Sequence, residues 1–181
     1  RLPISVYILS PYPLLALSPL PRPSERRIAL RVSPAAERAI RSGHPWLFDE
    51  AIRHQSFAGK PGDLAVVFDQ KRRFLAVGLY DPHSPIRVRI LQAGESAEID
   101  EAWFEKKLAT AVARRAPLAQ TNTTGYRLVH GENDGLPGLV VDRYGETAVI
   151  KLYTAAWLPH LAAVLAGLTA VTPCPRIVLR L

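Results

Sequence analysis

The sequence predicts an α+β protein in two parts, a β-rich small barrel or curled sheet followed by a small α+β domain. Three observations carry that expectation. Between residues 24 and 95, short runs of Val, Ile, Leu and Phe recur between Gly, Pro and Asp turns, as strands do. Beyond residue 96, longer amphipathic or apolar runs of helical length alternate with strand-like segments. Charge divides at the same place: residues 24–95 hold 12 basic and 8 acidic side chains, net +4, whereas residues 96–181 hold 9 and 8, net +1. The expected boundaries are therefore 1–23 for a Pro-rich unstructured extension, 24–95 for the β-rich domain, and 96–181 for an α+β domain expected to be truncated.

The opening segment has prolines at 3, 11, 13, 19, 21 and 23, so it lacks the unbroken apolar run of a signal peptide or membrane helix. Ile28 to Val32 then reads as a first strand. Pro34 opens a short helix over Ala35–Arg41, and Gly43 sits where a helix end favours glycine. Trp46 and Phe48 are expected in the core. Leu64–Phe68 is a strand after the Lys60–Asp63 turn, and the polar tip from Asp69 to Arg73 joins it to Phe74–Tyr80 as a hairpin. Ile86–Leu91 alternates strictly, with Arg87 and Arg89 on one face and aliphatics on the other. In the second part Asp100 is an N-cap for a helix over Glu101–Arg115. Tyr126–His130, Leu139–Asp142 and Ala148–Leu152 are strands, Trp157–Leu168 a helix, and Arg176–Leu181 a last strand.

Composition limits the function. The 181 residues are 48% hydrophobic and 22% charged, which excludes wholesale disorder and a coiled coil. One cysteine excludes an internal disulfide and a Cys-rich zinc site, and it suits a reducing, cytoplasmic setting. The net charge is +7, with 18 Arg to 5 Lys; guanidinium forks suit phosphate and stack on bases, which favours a nucleic-acid partner. No methionine occurs and residue 1 is arginine, so a processed or partial chain is expected.

Arg87 and Arg89, two apart on a strand, project from one sheet face and suit successive phosphates, although for any one such pair a solvated face of an amphipathic strand is the commoner case. Lys71, Arg72 and Arg73 at the hairpin tip are weaker RNA-binding candidates, with Arg26, Arg27 and Arg31 in the same half. His130-Gly131-Glu132 followed by Pro173-Cys174 imitates part of a zinc deaminase signature, but Ile177 stands at the second cysteine position, so no catalytic metal is expected. Cys174, between prolines and without an adjacent base, reads as a structural thiol. Glu132, Asp134, Asp142 and Arg143 are explained by catalysis or equally by an ion pair and turn caps.

Three blocks occur in order: Gly43-His44-Pro45-Trp46-Leu47-Phe48, then Phe74 to Arg89 including Tyr80-Asp81-Pro82-His83-Ser84-Pro85, then Tyr126 to Gly145. From about Glu25 to Leu181 they resemble the amino-terminal two thirds of the PUA-containing, S-adenosylmethionine-dependent large-subunit rRNA methyltransferase I family. The resemblance implies that 24–95 is a PUA pseudo-barrel binding structured rRNA and that the rest is the family's central α+β domain. It further implies a parent enzyme that methylates carbon 5 of a cytosine, with its Rossmann-like catalytic domain and its S-adenosylmethionine site absent from this chain. The chain by itself is thus expected to be inactive, without catalytic, cofactor or metal residues of its own, and without a membrane association. A free-standing PUA-type RNA-binding module with no enzymatic activity is the alternative. A homodimer is compatible with either.

Overall fold

A computed structural model describes residues 6–9, 21–172 and 174–180. Its elements are β1 (Val6–Leu9), β2 (Ile28–Val32), α1 (Pro34–Arg41), β3 (Trp46–Phe48), β4 (Ile52–Gln55), β5 (Leu64–Phe68), β6 (Phe74–Tyr80) and β7 (Ile86–Ala93). These are followed by α2 (Glu101–Ala113), α3 (Ala116–Ala119), β8 (Gly125–His130), β9 (Leu139–Tyr144), β10 (Thr147–Leu152), α4 (Leu161–Val171) and β11 (Arg176–Arg180). They make two compact units. A barrel unit comprises Pro21–Glu98 and Thr154–His160, and a layered unit comprises Ile99–Tyr153 with the chain from Leu161 onward and β1.

In the barrel unit the strand order is β3-β7-β6-β5-β2-β4. The two edge strands are consecutive in sequence, separated only by the 3-10 turn Asp49–Ala51. Four Cα steps reach at most about 15 Å, whereas the edges of a flat six-stranded sheet lie about 24 Å apart. The sheet must therefore curl until its edges meet. Ile28, Leu30, Val32, Leu47, Val67, Leu75 and Val88 fill the interior, and Ile40 of α1 joins them. Ser33 caps α1 by accepting from the Ala36 amide at 3.3 Å, and Pro34 opens the helix.

Two expectations are corrected in this unit. Leu47, not its neighbours, enters the core. The period of two on β3 turns Trp46 and Phe48 to the other face, where they are half-buried. There Trp46 meets exposed His44 and Phe48 nearly edge-on, with ring centroids 5.8 Å and 6.4 Å apart. The second correction concerns the expected helix from Trp157. Pro159 has no amide to donate, so Ala155–His160 winds as a 3-10 turn and α4 starts only at Leu161.

That turn is part of the barrel unit. The Thr154 hydroxyl donates to Asp81 Oδ2 at 2.6 Å, and His160 Nε2 lies 2.7 Å from the Gly62 carbonyl. Gly62 has φ +89°, and a Cβ there would stand 2.5 Å from Pro159 Cγ, so backbone and packing both demand glycine.

The layered unit has strand order β1-β11-β10-β9-β8, with β10 and β11 parallel and the other pairs antiparallel. The crossover between the parallel pair carries α4. Asp100 caps α2 by accepting from the Trp103 amide at 2.8 Å, and Phe104, Leu108 and Ala111 are its buried face. The two helices approach closely at Gly167, where a Cβ would meet Leu108 Cδ1 at 2.8 Å. Strand β1 corrects the expectation of an unstructured extension at Val6–Leu9. The run Val-Tyr-Ile-Leu favours strand, and pairing with β11 satisfies its backbone. The remainder of that segment up to residue 20, as well as Pro173 and Leu181, lies outside the described residues.

Candidate nucleic-acid interface

A groove of about 430 Å³ opens on the outer face of the barrel unit, lined by Ala29, Leu30, Arg31, His54, Phe68 and Arg72. Strand register builds it. Arg31 stands opposite His54 on β4 and opposite Phe68 on β5, so an imidazole, a guanidinium and a phenyl ring form one row across three strands. Ile28, Leu30 and Val32 point inward on β2, which obliges Ala29 and Arg31 to point outward. Among the described residues, no carboxylate pairs with Arg31 or Arg72.

The hairpin tip that supplies Arg72 is built around Asp69, which is fully buried. Its Oδ1 accepts from the amides of Lys71 at 2.8 Å and Arg73 at 2.9 Å; its Oδ2 accepts from Arg73 Nε at 2.8 Å and Arg41 Nη2 at 3.2 Å. The Arg73 amide, aided by the Arg73 guanidinium and the Lys71 amide, holds the Asp69 carboxyl below the usual range despite its burial. The turn places Arg72 at φ +60°, a left-handed conformation costing a non-glycine residue about 1–2 kcal/mol. Lys71, Arg72 and Arg73 are all exposed. The structure thus brings Arg72 together with Arg31, which the sequence placed only in the same half, and with His54 and Phe68, which it did not single out.

The arginine pair on β7 is not an exposed pair. Arg89 is 7% exposed and lies 3.6 Å from Asp81, itself buried. Arg87 is partly covered; its Nη2 donates to Asp49 Oδ2 at 3.2 Å and its Nη1 to the Pro82 carbonyl. The expectation of two outward guanidiniums is corrected: the curl of the sheet buries both faces of β7 from Val88 to Leu91. Neither arginine lines the groove.

The Arg127–Gly145 stretch organises the layered unit. Arg127 and Asp142 are directly opposite on β8 and β9 and pair at 2.8 Å. Asp134 accepts from Arg115 at 2.8 Å, Arg114 at 3.0 Å and the His130 amide at 2.7 Å. Burial pushes its carboxyl up, but the Arg115 guanidinium and these other donors outweigh it and leave it below the usual range. Arg143 reaches the Tyr126 hydroxyl at 3.0 Å. Cys174 is a buried free thiol. Among the described residues no group of three His, Cys, Asp or Glu is placed to hold a metal, and no helix is long and apolar enough to cross a membrane.

Comparison with known proteins adds to this geometry. A family profile described as a PUA-like domain matches residues 30–93. A ribosomal RNA large subunit methyltransferase of Deinococcus radiodurans is 52% identical over 166 residues, which is 89% of this chain and 41% of that protein. Ribosomal RNA large subunit methyltransferase I of Alteromonas mediterranea is 34% identical over 78% of this chain and 36% of its own length. The Escherichia coli protein of the same name is 33% identical over 81% and 37%. The chain thus spans about two fifths of the length of these relatives. Among solved structures, a Streptococcus mutans protein described as a SAM-dependent methyltransferase superposes with TM-score 0.71 at 19% identity, over 81% of this chain and 38% of the other. A second solved structure, described as a methyltransferase complexed with SAH, gives 0.70 at 17%, over 82% and 38%. At such identities these two speak for the fold alone.

Proposed function

We propose, from the PUA-like match over residues 30–93 and the likeness to large-subunit rRNA methyltransferases, that the chain is part of a PUA-containing rRNA large-subunit methyltransferase I and that its barrel unit recognises structured ribosomal RNA for a cytoplasmic methyltransferase. The reaction of the parent enzyme is, in this reading, methylation of carbon 5 of a cytosine, with S-adenosylmethionine supplying the methyl group. Among the described residues none is assigned to that cofactor. The glycine-bearing connection from Gly131 to Gly138 leads from strand β8 through the short 3-10 turn Gly131–Asp134 to strand β9 rather than into an α-helix whose N-terminus could hold a phosphate or carboxylate. What this chain does is bind and orient.

One observation carries the reading: Arg31 and Arg72, without carboxylate partners, share a groove with Phe68 and His54. Two such guanidiniums attract backbone phosphates, and a half-exposed ring beside them offers a stacking surface to an unpaired base. Lys71 and Arg73 extend the positive rim at the hairpin tip, and Arg87 adds to it only insofar as it leaves Asp49. Arg89 holds the fold.

The test is titration of a large-subunit rRNA fragment with the intact chain over a range of salt concentrations. Affinity should fall linearly on a log–log plot, and Arg31→Ala with Arg72→Ala should lower the slope by about one per lost phosphate contact. A slope unchanged in a folded double variant would remove the groove from the RNA site.

A further inference from the structure

The layered unit has a second surface, distinct from the groove. Its sheet buries one face, with Val141, Ala148, Ile150, Ile177 and Leu179 turned inward. Register fixes what the opposite face carries, because residues paired across strands project to the same side. Thr147 pairs with Tyr144 and Arg176, Val149 with Asp142 and Val178, and Lys151 with Arg180, while Asp142 pairs in turn with Arg127. Tyr153, two residues beyond Lys151, continues that alternation, and the Lys151 ammonium lies 4.3 Å from its ring centre.

Two of these side chains are unusual for an exposed position. Tyr144 is 60% exposed and Tyr153 58%, and they are two of the three large hydrophobic side chains found exposed among the described residues. They stand at opposite ends of the face, about 20 Å apart along the strands at the usual rise per residue. Midway between them the face carries Val149, Val178 and the Arg127–Asp142 pair, and cations flank that centre, Arg176 level with Tyr144 and Lys151 with Arg180 toward Tyr153. Lys151 and Arg180 have no carboxylate opposite, Arg176 is only 3.8 Å from the exposed Glu146, and Arg127 is matched by Asp142. Asp142 holds the Arg127 guanidinium above its usual value.

We propose that this face is a second RNA-contact surface, one that binds an unpaired stretch by stacking bases on Tyr144 and Tyr153 and drawing the phosphates between them to Lys151, Arg176 and Arg180. The face sets four cations, Arg127, Lys151, Arg176 and Arg180, against two carboxylates, Asp142 and Glu146, and adds isolated aromatic rings, which suits a single strand better than the charge-depleted centre of a protein interface. The inference rests on the RNA reading of the chain but uses none of the groove residues.

The test uses the intact chain and a short fluorescein-labelled oligouridylate, with anisotropy as the readout. Three variants are compared with the parent: Tyr144→Ala/Tyr153→Ala, Tyr144→Phe/Tyr153→Phe, and Arg31→Ala/Arg72→Ala. The proposal expects the alanine pair to weaken oligouridylate binding at least about tenfold, and the phenylalanine pair to bind like the parent, because Phe keeps the ring. Both tyrosines are exposed, so circular dichroism should show both variants folded. Unchanged affinity in the alanine pair, or an equal loss in the phenylalanine pair, overturns stacking at this face. If only the groove variant loses RNA affinity, the second surface falls and the groove stands. If the parent binds no RNA at all, both readings fall.

Discussion

Replacing Arg89 by Met should destabilise the barrel unit by about 3 kcal/mol, whereas Arg87→Met, two residues away, should cost about 1 kcal/mol or less. The difference follows from what each charge leaves behind. The Arg89 and Asp81 side chains are 8% and 10% exposed, so removing the guanidinium strands a buried carboxylate. Losing one partner of a buried pair costs about 3–5 kcal/mol. Asp81 keeps the Thr154 hydroxyl at 2.6 Å and the His83 amide at 3.1 Å, which places the cost at the low end. Methionine retains most of the buried stem, so little cavity is added. Asp49, by contrast, is 45% exposed and returns to water when Arg87 leaves. Urea denaturation followed by tryptophan fluorescence reads this unit through Trp46 and Trp157, with midpoints compared at constant slope. Adding Asp81→Asn to Arg89→Met should recover about 1–2 kcal/mol through their coupling. Equal losses at Arg87 and Arg89, or an Arg89→Met midpoint at the parent value, would refute the assignment of Arg89 to the fold.

Arg72→Gly separates binding from folding: relief of φ +60° should leave stability unchanged or raise it by up to about 1 kcal/mol, while RNA affinity drops, as denaturation and RNA titration of one preparation will show. His160 gives a pH dependence, since burial lowers its pKa below the usual value against the opposing Gly62 carbonyl and Asp63. The unfolded chain therefore takes up the proton first, and stability should be complete above about pH 6.5 and decline as pH falls below it; a His160→Gln variant with the same decline between pH 7 and 5 would contradict this. Gly62→Ala should cost at least about 2 kcal/mol by combining a disfavoured φ with the 2.5 Å approach to Pro159 Cγ, and a thermal midpoint within a degree of the parent would count against that packing.

Local signals in the sequence were enough to place most elements. Ile28–Val32, Leu64–Phe68 and Phe74–Tyr80 fall where alternation and turn residues put them, and Asp100 caps α2 as expected. What failed was non-local. Nothing within Ile86–Leu91 reveals that the curled sheet covers both of its faces, because the covering strands lie elsewhere in the chain. Nor does any local pattern show that Arg31 will have His54 on one side and Phe68 on the other; that row exists only once β2 has paired with both β4 and β5. The three residues between Trp46–Phe48 and Ile52–Gln55 were a usable clue to closure, but only if both flanking segments are known to be edge strands. Pro159 was a local signal for the late start of α4, and the apolar run around it obscured that signal.

The same distinction governs what arginine content means here. An excess of 18 Arg over 5 Lys was grounds for expecting a polyanion, yet many of these guanidiniums hold the protein together. Arg41 and Arg73 anchor Asp69, Arg89 answers Asp81, Arg114 and Arg115 converge on Asp134, and Arg127 meets Asp142 across two strands. Each satisfies a carboxylate that is buried or partly buried, a task for which a planar, always-charged group is well suited. The arginine count therefore does not by itself point to RNA. Among the described residues Arg31 and Arg72 are the better ground, because no carboxylate pairs with either and both line one groove with Phe68 and His54. A variant series should divide along that line: arginines facing carboxylates change denaturation midpoints, and those at the groove change the salt dependence of RNA binding.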